Sequence, residues 1–476
     1  MTQHKAKVGL AGLTAMVFGS VIGGAVYNLP QNMAVGAGLG AVVLAWLVTG
    51  LGVLMLVLAF KILNNRKPGL DAGIYQYARE GFGNYVGFNV SWGYWWAAAM
   101  SNLAFAVLLN DSLGYFFPVL LNHGWEMLLL GSCFIWVMFF IVLSGIKEAA
   151  LLNTILSVIK FGSLAIIIAL LVVGFNSDIF LTDVWAMETS LGAIHNQMGN
   201  TMFVTLWAFI GVEGAVVISD RARNPKQVGK ATVIGFLLAW MLYIFISVMA
   251  YGLMPVTAMQ ALPTPSLAYL LSSAGSQWGV VFVIFSVIIS VLGGWVAWTI
   301  LMVQVPYSAS QLGFLPRVFR RENKHESPSY ALLFSTLIMQ LFIFLVVMAQ
   351  DVYLATIEIA GVMYLPAYLF CGLYLIKSAW TGEIGTQTRT QRVVYPLVGW
   401  GATAYCLWTF YVGDLILLLL TSLVYLIGIP FYYRARGENR VAGEKYFTFG
   451  EKWLLAALIA GSLVSFFLIA TGETGF

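Results

Sequence analysis

The chain has 476 residues, of which 60% are hydrophobic and 9% are charged, and its formal net charge is +4. A mean hydropathy of +0.87 excludes a soluble globular domain, so the composition predicts an all-α integral membrane protein. The three cysteines fall within apolar segments, and their spacing favours neither a disulfide framework nor a metal site.

The first apolar segment, residues 8–36, is interrupted by Gly19, Gly23 and Gly24 and then by Pro30. Glycine lowers helix propensity by about 1 kcal/mol relative to alanine, and proline removes a backbone donor. We expect a broken helix whose second half aims free N–H groups at the middle of the bilayer, where a substrate carboxylate could bind. The alternative is a glycine-rich helix that packs closely against a neighbour. The segment is too long and too interrupted for a cleaved signal peptide.

Hydropathy divides the remainder of the chain into further apolar spans, most of which approach the ~20 residues needed to cross the hydrocarbon core. We predict twelve spans and a shorter thirteenth near the end of the chain. They cover residues 8–36, 40–63, 84–109, 125–146, 149–174, 199–218, 229–254, 276–311, 329–349, 352–377, 395–411, 414–433 and 453–471. The semi-polar aromatic segment Asp71–Gly83 predicts an interfacial or re-entrant element between the second and third spans.

The basic residues give this arrangement an orientation through the positive-inside rule. If the N-terminus is cytoplasmic, only Lys160 of the 24 basic residues falls away from the inner face. The outer connections contain no Lys or Arg, and their acidic residues are Asp111, Asp178, Asp183, Glu188, Asp351 and Asp414. A wrong number of spans would scramble this alternation, so the charges support the predicted topology.

The sixth span contains a second break that is rich in glycine, at Phe209–Gly214. Spans one and six begin two five-span halves, about residues 8–174 and 199–377, which are followed by extra helices over about 395–471. Interruptions at corresponding positions of two halves are a sequence sign of a transporter site at a repeat interface. The second break therefore favours a substrate site over simple helix packing at the first.

Three charged residues lie inside predicted spans, where charges are costly and mark functional sites. Glu213, at the second break, could bind a cationic substrate, relay a proton or hold a gate; its structural alternative is to cap freed backbone groups. Lys160 could carry a proton or could pin the first break by donating to its carbonyls. Glu358 could pair with a cationic substrate, or it could be a carboxylate near the outer mouth.

Two tryptophans and one amide are further candidates for the site. Trp207 precedes Glu213 by one and a half turns, and Trp295 follows the pair Gly293-Gly294, so a cationic substrate could stack on either ring. Each ring could equally be packing. Asn102 lies on a face of small residues that could line a cavity or could pack against a neighbouring helix.

Motifs of soluble enzymes are absent from the sequence, which contains no P-loop, dinucleotide-binding glycine motif or metal-ligand cluster. We therefore predict no catalytic residues, no metal and no cofactor.

The segment Gly19–Ala34 resembles the first-helix signature of the amino acid–polyamine–organocation superfamily, and Asp71–Gly83 and Leu206–Ala215 resemble its basic amino acid/polyamine antiporter branch. Three shorter segments are similar to bacterial arginine–ornithine antiporters, namely Gly145–Ala150, Val228–Gly235 and Phe449–Lys452. The resemblance implies 12–13 transmembrane helices, two inverted five-helix repeats, discontinuous helices 1 and 6, and exchange by alternating access. It also implies a bacterial cytoplasmic (inner) membrane location with the N-terminus inside.

The resemblance further implies which residues form the site. The first break would hold the substrate carboxylate, and the sixth, third and eighth helices would bind the amino group and the side chain. The implied residues are Val21, Ile22, Gly23, Gly24, Ala25, Tyr94, Ala97, Ala98, Asn102, Trp207, Ile210, Gly211 and Trp295. Glu213 would match the gating acid of the family, and Lys160 would match a lysine that stands where sodium sits in sodium-coupled relatives.

The chain departs from the arginine–ornithine pattern at Ala25, a position that is usually glycine, and at Gln304, which stands where that group carries an acid. The expected function is exchange of an external basic amino acid for its intracellular catabolic product, as in arginine/ornithine exchange. The alternatives are exchange of an amino acid for its decarboxylated amine, such as histidine for histamine, and a proton-coupled amino acid permease. The expected partners are amino acid and amine substrates and the lipid bilayer, with no nucleic acid; the sequence leaves a homodimer open.

Overall fold

The computed structural model describes residues 9–67, 69–70, 74–122, 124–186, 191–213, 225–273, 277–346, 352–413, 415–439 and 445–471. These residues form a helical bundle. Its helices are α1 Leu10–Val21, α2 Leu29–Gly36, α3 Leu39–Arg66, α4 Ile74–Phe82, α5 Asn84–Gly114, α6 Trp125–Ser144, α7 Ile146–Gly174, α8 Ser177–Leu181, α9 Ile194–Ala208, α10 Pro225–Ala250, α11 Val256–Gln260, α12 Ser266–Ser273, α13 Gln277–Gln311, α14 Ser329–Val346, α15 Val352–Thr381, α16 Arg389–Val412, α17 Leu415–Asn439 and α18 Phe449–Thr471.

Each of the thirteen predicted spans corresponds to a helix or to a broken pair of helices. Within the described ranges, eight helices are long and apolar enough to cross a membrane. They include α18, which at 23 residues is about 34 Å long and therefore answers the length question for the thirteenth span. The all-α membrane fold predicted from composition is confirmed.

The first span is broken, as predicted. Helix α1 ends at Val21, a 3-10 turn covers Ala25–Tyr27, and α2 starts at Leu29. Pro30 is not a second break. It lies in the first turn of α2, where a backbone N–H has no partner within the helix, so the missing donor costs little.

Helix α5 is the central wall of the bundle, and it packs mainly against α13 and α15. Its residues are buried along nearly its whole length of 31 residues. A helix buried on all sides is hydrophobic all round, which explains why its sequence has no polar face.

Helix α2 is fastened to the connection between α11 and α12. The amide of Ser266 donates to Asn28 Oδ1 at 2.8 Å, and Gln260 Nε2 donates to the Ala34 carbonyl at 3.0 Å. Asn28 and Ser266 are buried. The second half of the broken span is therefore held by side chains as well as by packing.

Several predicted features fall partly outside the described residues. The interfacial element expected at Asp71–Gly83 is described from Ile74 onward, where it forms the short helix α4. In the second break, Gly214 lies outside the described ranges, as do the acidic residues Glu188, Asp351 and Asp414 of the predicted outer connections.

Candidate functional site

The first break leaves backbone carbonyls without helical partners, and side chains from α7 and α10 supply their donors. Lys160 Nζ donates to the carbonyls of Gly19 at 3.1 Å and Ile22 at 2.6 Å. Tyr243 Oη donates to the Val21 carbonyl at 2.7 Å. The end of α1 is therefore fixed by a buried cation and a buried hydroxyl rather than by further helix.

The first break also leaves backbone donors free. In the described part of the chain, the amides of Gly23, Gly24 and Ala25 donate to no backbone carbonyl. All three residues line a cavity. Free N–H groups at residues that line a cavity beside a helix break are suited to an anion such as a carboxylate.

The second break begins where α9 ends at Ala208. Gly211 has φ +103°, and a Cβ there would lie 3.0 Å from the Ser20 carbonyl oxygen, so the position requires glycine. The Ser20 hydroxyl lies 2.9 Å from the Gly211 carbonyl oxygen and donates to it. This hydrogen bond joins the two breaks directly.

The Glu213 carboxylate stabilises the second break. It accepts hydrogen bonds from the Gly211 amide at 3.2 Å and from the Tyr368 hydroxyl at 3.2 and 3.3 Å. The Tyr94 hydroxyl donates to it as well. Glu213 is 2% exposed, so a buried carboxylate connects α5, α15 and the end of α9. The hydrogen bond from the Gly211 amide is the geometry expected from the structural alternative for Glu213, in which it caps freed backbone groups.

A cavity of about 20 Å³ lies between the two breaks. Its lining residues are Ser20, Val21, Gly23, Gly24, Ala25, Ser101, Phe105, Trp207, Ile210 and Trp298. Sites for small molecules in proteins are about 300–1,000 Å³. The walls must therefore separate before an amino acid can fit.

Aromatic rings form much of the cavity wall. The Trp207 indole donates from Nε1 to Ser101 Oγ at 3.2 Å, and its ring packs edge-on against Tyr353 with centroids 6.1 Å apart. Trp298 and Phe105 complete the wall from α13 and α5. Three rings around one cavity suit a flat or cationic substrate side chain.

The structure brings six of the predicted substrate residues to the cavity: Val21, Gly23, Gly24, Ala25, Trp207 and Ile210. It also adds four that sequence reasoning missed, namely Ser20, Ser101, Phe105 and Trp298. Ser20 belongs to the same glycine-rich stretch as the predicted residues, so its position was a usable signal. Trp298 and Phe105 lie one turn beyond the predicted Trp295 and Asn102.

The other predicted residues do not line the cavity. Ile22 and Gly211 hold the two breaks, Tyr94 binds Glu213, and Ala97 and Ala98 are buried within α5. Trp295 is fully buried and packs near Phe134, with ring centroids 6.4 Å apart. Glu358 is half-buried on α15.

Asn102 links α5 to α13. Its Nδ2 donates to the Ala98 carbonyl at 2.8 Å, and its Oδ1 accepts from Thr299 Oγ1 at 3.2 Å. The side chain is fully buried. Of the two alternatives for Asn102, the structure has it packed against a neighbouring helix, one residue from the lining residue Ser101.

Among the described residues, no group of three His, Cys, Asp or Glu side chains could hold a metal ion. The site therefore consists of backbone amides, hydroxyls, aromatic rings and two buried charges. Broken helices that meet at a cavity are the arrangement in which transporters bind their substrates.

Comparison with known proteins gives a consistent result. A family model for amino acid permeases matches residues 8–419. The arginine/agmatine antiporter of Chlamydia pneumoniae is 39% identical over 99% of both chains. Proteins of the same name from Chlamydia caviae and Chlamydia trachomatis are 38% and 39% identical, over 98% and 96% of both chains respectively.

Proposed function

Because the chain belongs to the amino acid permease family and is a multi-pass membrane transporter rather than an enzyme, we propose that it is an antiporter working by alternating access. It exchanges an external basic amino acid for a product of the same amino acid made inside the cell. The observation that carries this proposal is the meeting of two broken spans at one cavity lined by free amides and aromatic rings.

The proposed binding mode follows from the chemistry of the cavity wall. The substrate carboxylate accepts hydrogen bonds from the amides of Gly23, Gly24 and Ala25 once the walls separate. Its side chain lies among the rings of Trp207, Trp298 and Phe105. The ten lining residues of the described chain include no acid, so a cationic side chain would be held by the ring faces.

The product is an amine formed by loss of the carboxylate, rather than ornithine. Relatives named arginine/agmatine antiporters, at 38–39% identity, favour this choice, because agmatine is arginine without its carboxylate. The departures at Ala25 and Gln304 also separate the chain from the arginine–ornithine pattern. Arginine against agmatine is therefore the pair to test first.

Two buried charges are proposed to control the opening of the site. Lys160 bonds to the end of α1, and Glu213 bonds to the second break together with Tyr94 and Tyr368. Either charge could instead carry a proton, which is the basis of the second candidate, a proton-coupled permease. The candidates differ in whether accumulation needs a substrate inside.

We further propose the cytoplasmic membrane of a bacterium as the location, with the N-terminus inside. The first ten spans would form two inverted repeats, residues 8–174 and 199–377, with the remaining helices added after them. Breaks in the first and sixth spans are the pattern that two such repeats produce.

Counterflow into proteoliposomes tests the proposal. Vesicles are loaded with arginine, agmatine, ornithine, histamine or buffer, and uptake of labelled external arginine is measured at equal pH on both sides. We expect strong uptake against internal arginine and agmatine, weak uptake against ornithine, and almost none into empty vesicles. Equal uptake into empty and loaded vesicles would refute exchange, and uptake into empty vesicles that a pH gradient alone drives would support the permease.

A further inference from the structure

The turn between α4 and α5 is held from two sides by opposite charges. Lys377 Nζ on α15 donates to the Gly81 carbonyl, in the last turn of α4, at 2.6 Å. The Glu451 carboxylate on α18 accepts from the Tyr85 amide, in the first turn of α5, at 2.6 Å through Oε1. A cation at a helix C-terminus and an anion at a helix N-terminus each complement the local backbone dipole.

Glu451 makes a second set of bonds within its own helix. Its Oε2 accepts from the Thr448 amide at 2.7 Å, and its own amide donates to Thr448 Oγ1 at 3.3 Å. These two bonds form a capping box at the start of α18. One carboxylate therefore caps the N-termini of two helices, α5 and α18, and its residue is only 3% exposed.

The turn itself is built for this approach. Gly83 has φ +104°, and a Cβ there would lie 2.5 Å from Glu451 Oε1. Any other residue at this position would strain the backbone and would also displace the carboxylate.

Helix α18 otherwise lies at the edge of the bundle. Only 11% of the residues in its most apolar stretch are buried. In the described part of the chain, its other side-chain hydrogen bonds to a neighbouring helix go to α17, where Ser465 Oγ donates to the Leu419 carbonyl at 2.6 Å and Ser462 Oγ donates to Ser422 Oγ at 3.3 Å. Among the described residues, the hydrogen bond between the Tyr85 amide and Glu451 connects this outlying helix to α5.

We propose that Glu451 is a positioning residue for transport. It ties α18 to the start of α5 and so sets the height and angle of the wall that α5 contributes to the substrate site. Helix α5 carries Ser101 and Phe105, and Ser101 is 16 residues, or about 24 Å, from Tyr85. Because α5 is a continuous buried helix, a shift at one end moves the other. The proposal relies on the proposed exchange only for its kinetic readout.

Hydrogen exchange measured by mass spectrometry on the purified full-length protein tests the structural half without any substrate. We expect Glu451→Gln to raise exchange of the amides of residues 84–88 by about tenfold, because the charged acceptor of Tyr85 is lost. The matched control is Lys452→Gln, which changes the neighbouring exposed charge on the same helix and should leave these amides unchanged. Unchanged exchange in Glu451→Gln would overturn the proposal.

Arginine counterflow in proteoliposomes tests the functional half. We expect Glu451→Gln to lower the maximal exchange rate by about fivefold, with the half-saturation concentration changed less than about twofold, because gating is impaired rather than binding. A variant with a lower melting temperature, yet with wild-type rate per folded molecule, would show a merely structural role and would overturn the proposal. Absence of counterflow in the wild type would instead count against the proposed function, while the hydrogen-exchange result stands by itself.

Discussion

Lys160 is a cation buried among apolar helices, and it stabilises the first break through its hydrogen bonds. It is 3% exposed and donates to two carbonyls at the end of α1. Its ammonium also lies 5.1 Å from the centre of the Phe161 ring. A buried charge with well-placed acceptors holds a backbone break that packing alone would leave unsatisfied.

We expect Lys160→Met to destabilise the protein by about 1–3 kcal/mol and to abolish exchange, because two buried carbonyls lose their donor. The measurements are the thermal melting of detergent-purified protein and arginine counterflow. Lys230→Met removes an exposed lysine on α10 and serves as the control, with both properties close to wild type. Normal melting and normal exchange in Lys160→Met would contradict this role.

Trp298 and Trp295 lie one turn apart on α13 and can be tested against each other. We expect Trp298→Leu to weaken arginine binding by about 1–2 kcal/mol, because this ring faces the cavity. Trp295→Leu should lower the melting temperature and leave the affinity nearly unchanged, since its ring is buried outside the lining. Equilibrium binding of labelled arginine in detergent measures both. Weaker arginine binding in Trp295→Leu, with unchanged affinity in Trp298→Leu, would show instead that Trp295 contacts the substrate.

The choice between these two tryptophans marks a limit of the sequence. The glycines of the first break and the glutamate of the second were readable, because glycine and buried charge carry their meaning at single positions. The sequence of α13 does not indicate which of its residues line the cavity. This helix is buried on most sides, so its apolar pattern does not show which face meets the cavity. Trp298 required the packing of α5, α9 and α13 to be known.

The broken helices are stable elements because each break has its own partners. The first is held by Lys160 and Tyr243, and the second by Glu213. Gly211 is the point of contact between them, with φ +103° and the Ser20 hydroxyl on its carbonyl. Any change at this glycine acts on both elements.

We expect Gly211→Ala to reduce exchange at least tenfold and to cost about 1–3 kcal/mol of stability, because alanine is strained at this backbone angle and meets the Ser20 carbonyl. Gly162→Ala is the control, since a Cβ there meets nothing within 4 Å and the position is helical. Counterflow and thermal melting distinguish the two. Wild-type exchange by Gly211→Ala would show that the second break tolerates an ordinary helical turn.

At the scale of elements, hydropathy placed each predicted span on a helix or a broken pair of helices, and eight described helices are long and apolar enough to cross a membrane, because a membrane helix must be long and apolar whatever it packs against. The prediction that Pro30 interrupts the first span was wrong. The effect of a proline depends on its position in a helix, and the start of α2, which has no side-chain cap, was not identified from the sequence. The carboxylate of Glu451 at the start of α5 was not predicted either, since it joins residues 366 positions apart.

The whole molecule has an odd number of predicted spans, which has a topological consequence. With the N-terminus inside, thirteen spans direct the residues after Thr471 to the outer side. We expect alkaline phosphatase fused after Phe476 to be active and the same enzyme fused after Lys445 to be inactive. A green fluorescent protein at the same two points should give the opposite pattern. Inactive phosphatase at both positions would mean that α18 does not cross the membrane.

The arrangement of the molecule as a transporter was predictable from spacing and charge, since basic residues alternate with the spans and the two breaks fall in the first and sixth spans. The substrate pair was not predictable in this way. It depends on a few side chains around one cavity, and hydropathy does not resolve them.

The contact between Ser20 and Gly211 has a consequence for kinetics. The two breaks close on one small cavity, so the outgoing molecule must leave before the incoming one can be held. Exchange would then follow a ping-pong scheme with a carrier that changes sides between its two half-reactions. Plots of reciprocal rate against reciprocal external substrate, at several internal concentrations, should give parallel lines. Each amino acid gained by the cell would be matched by one molecule of product lost, which makes uptake a direct measure of how fast that product is made.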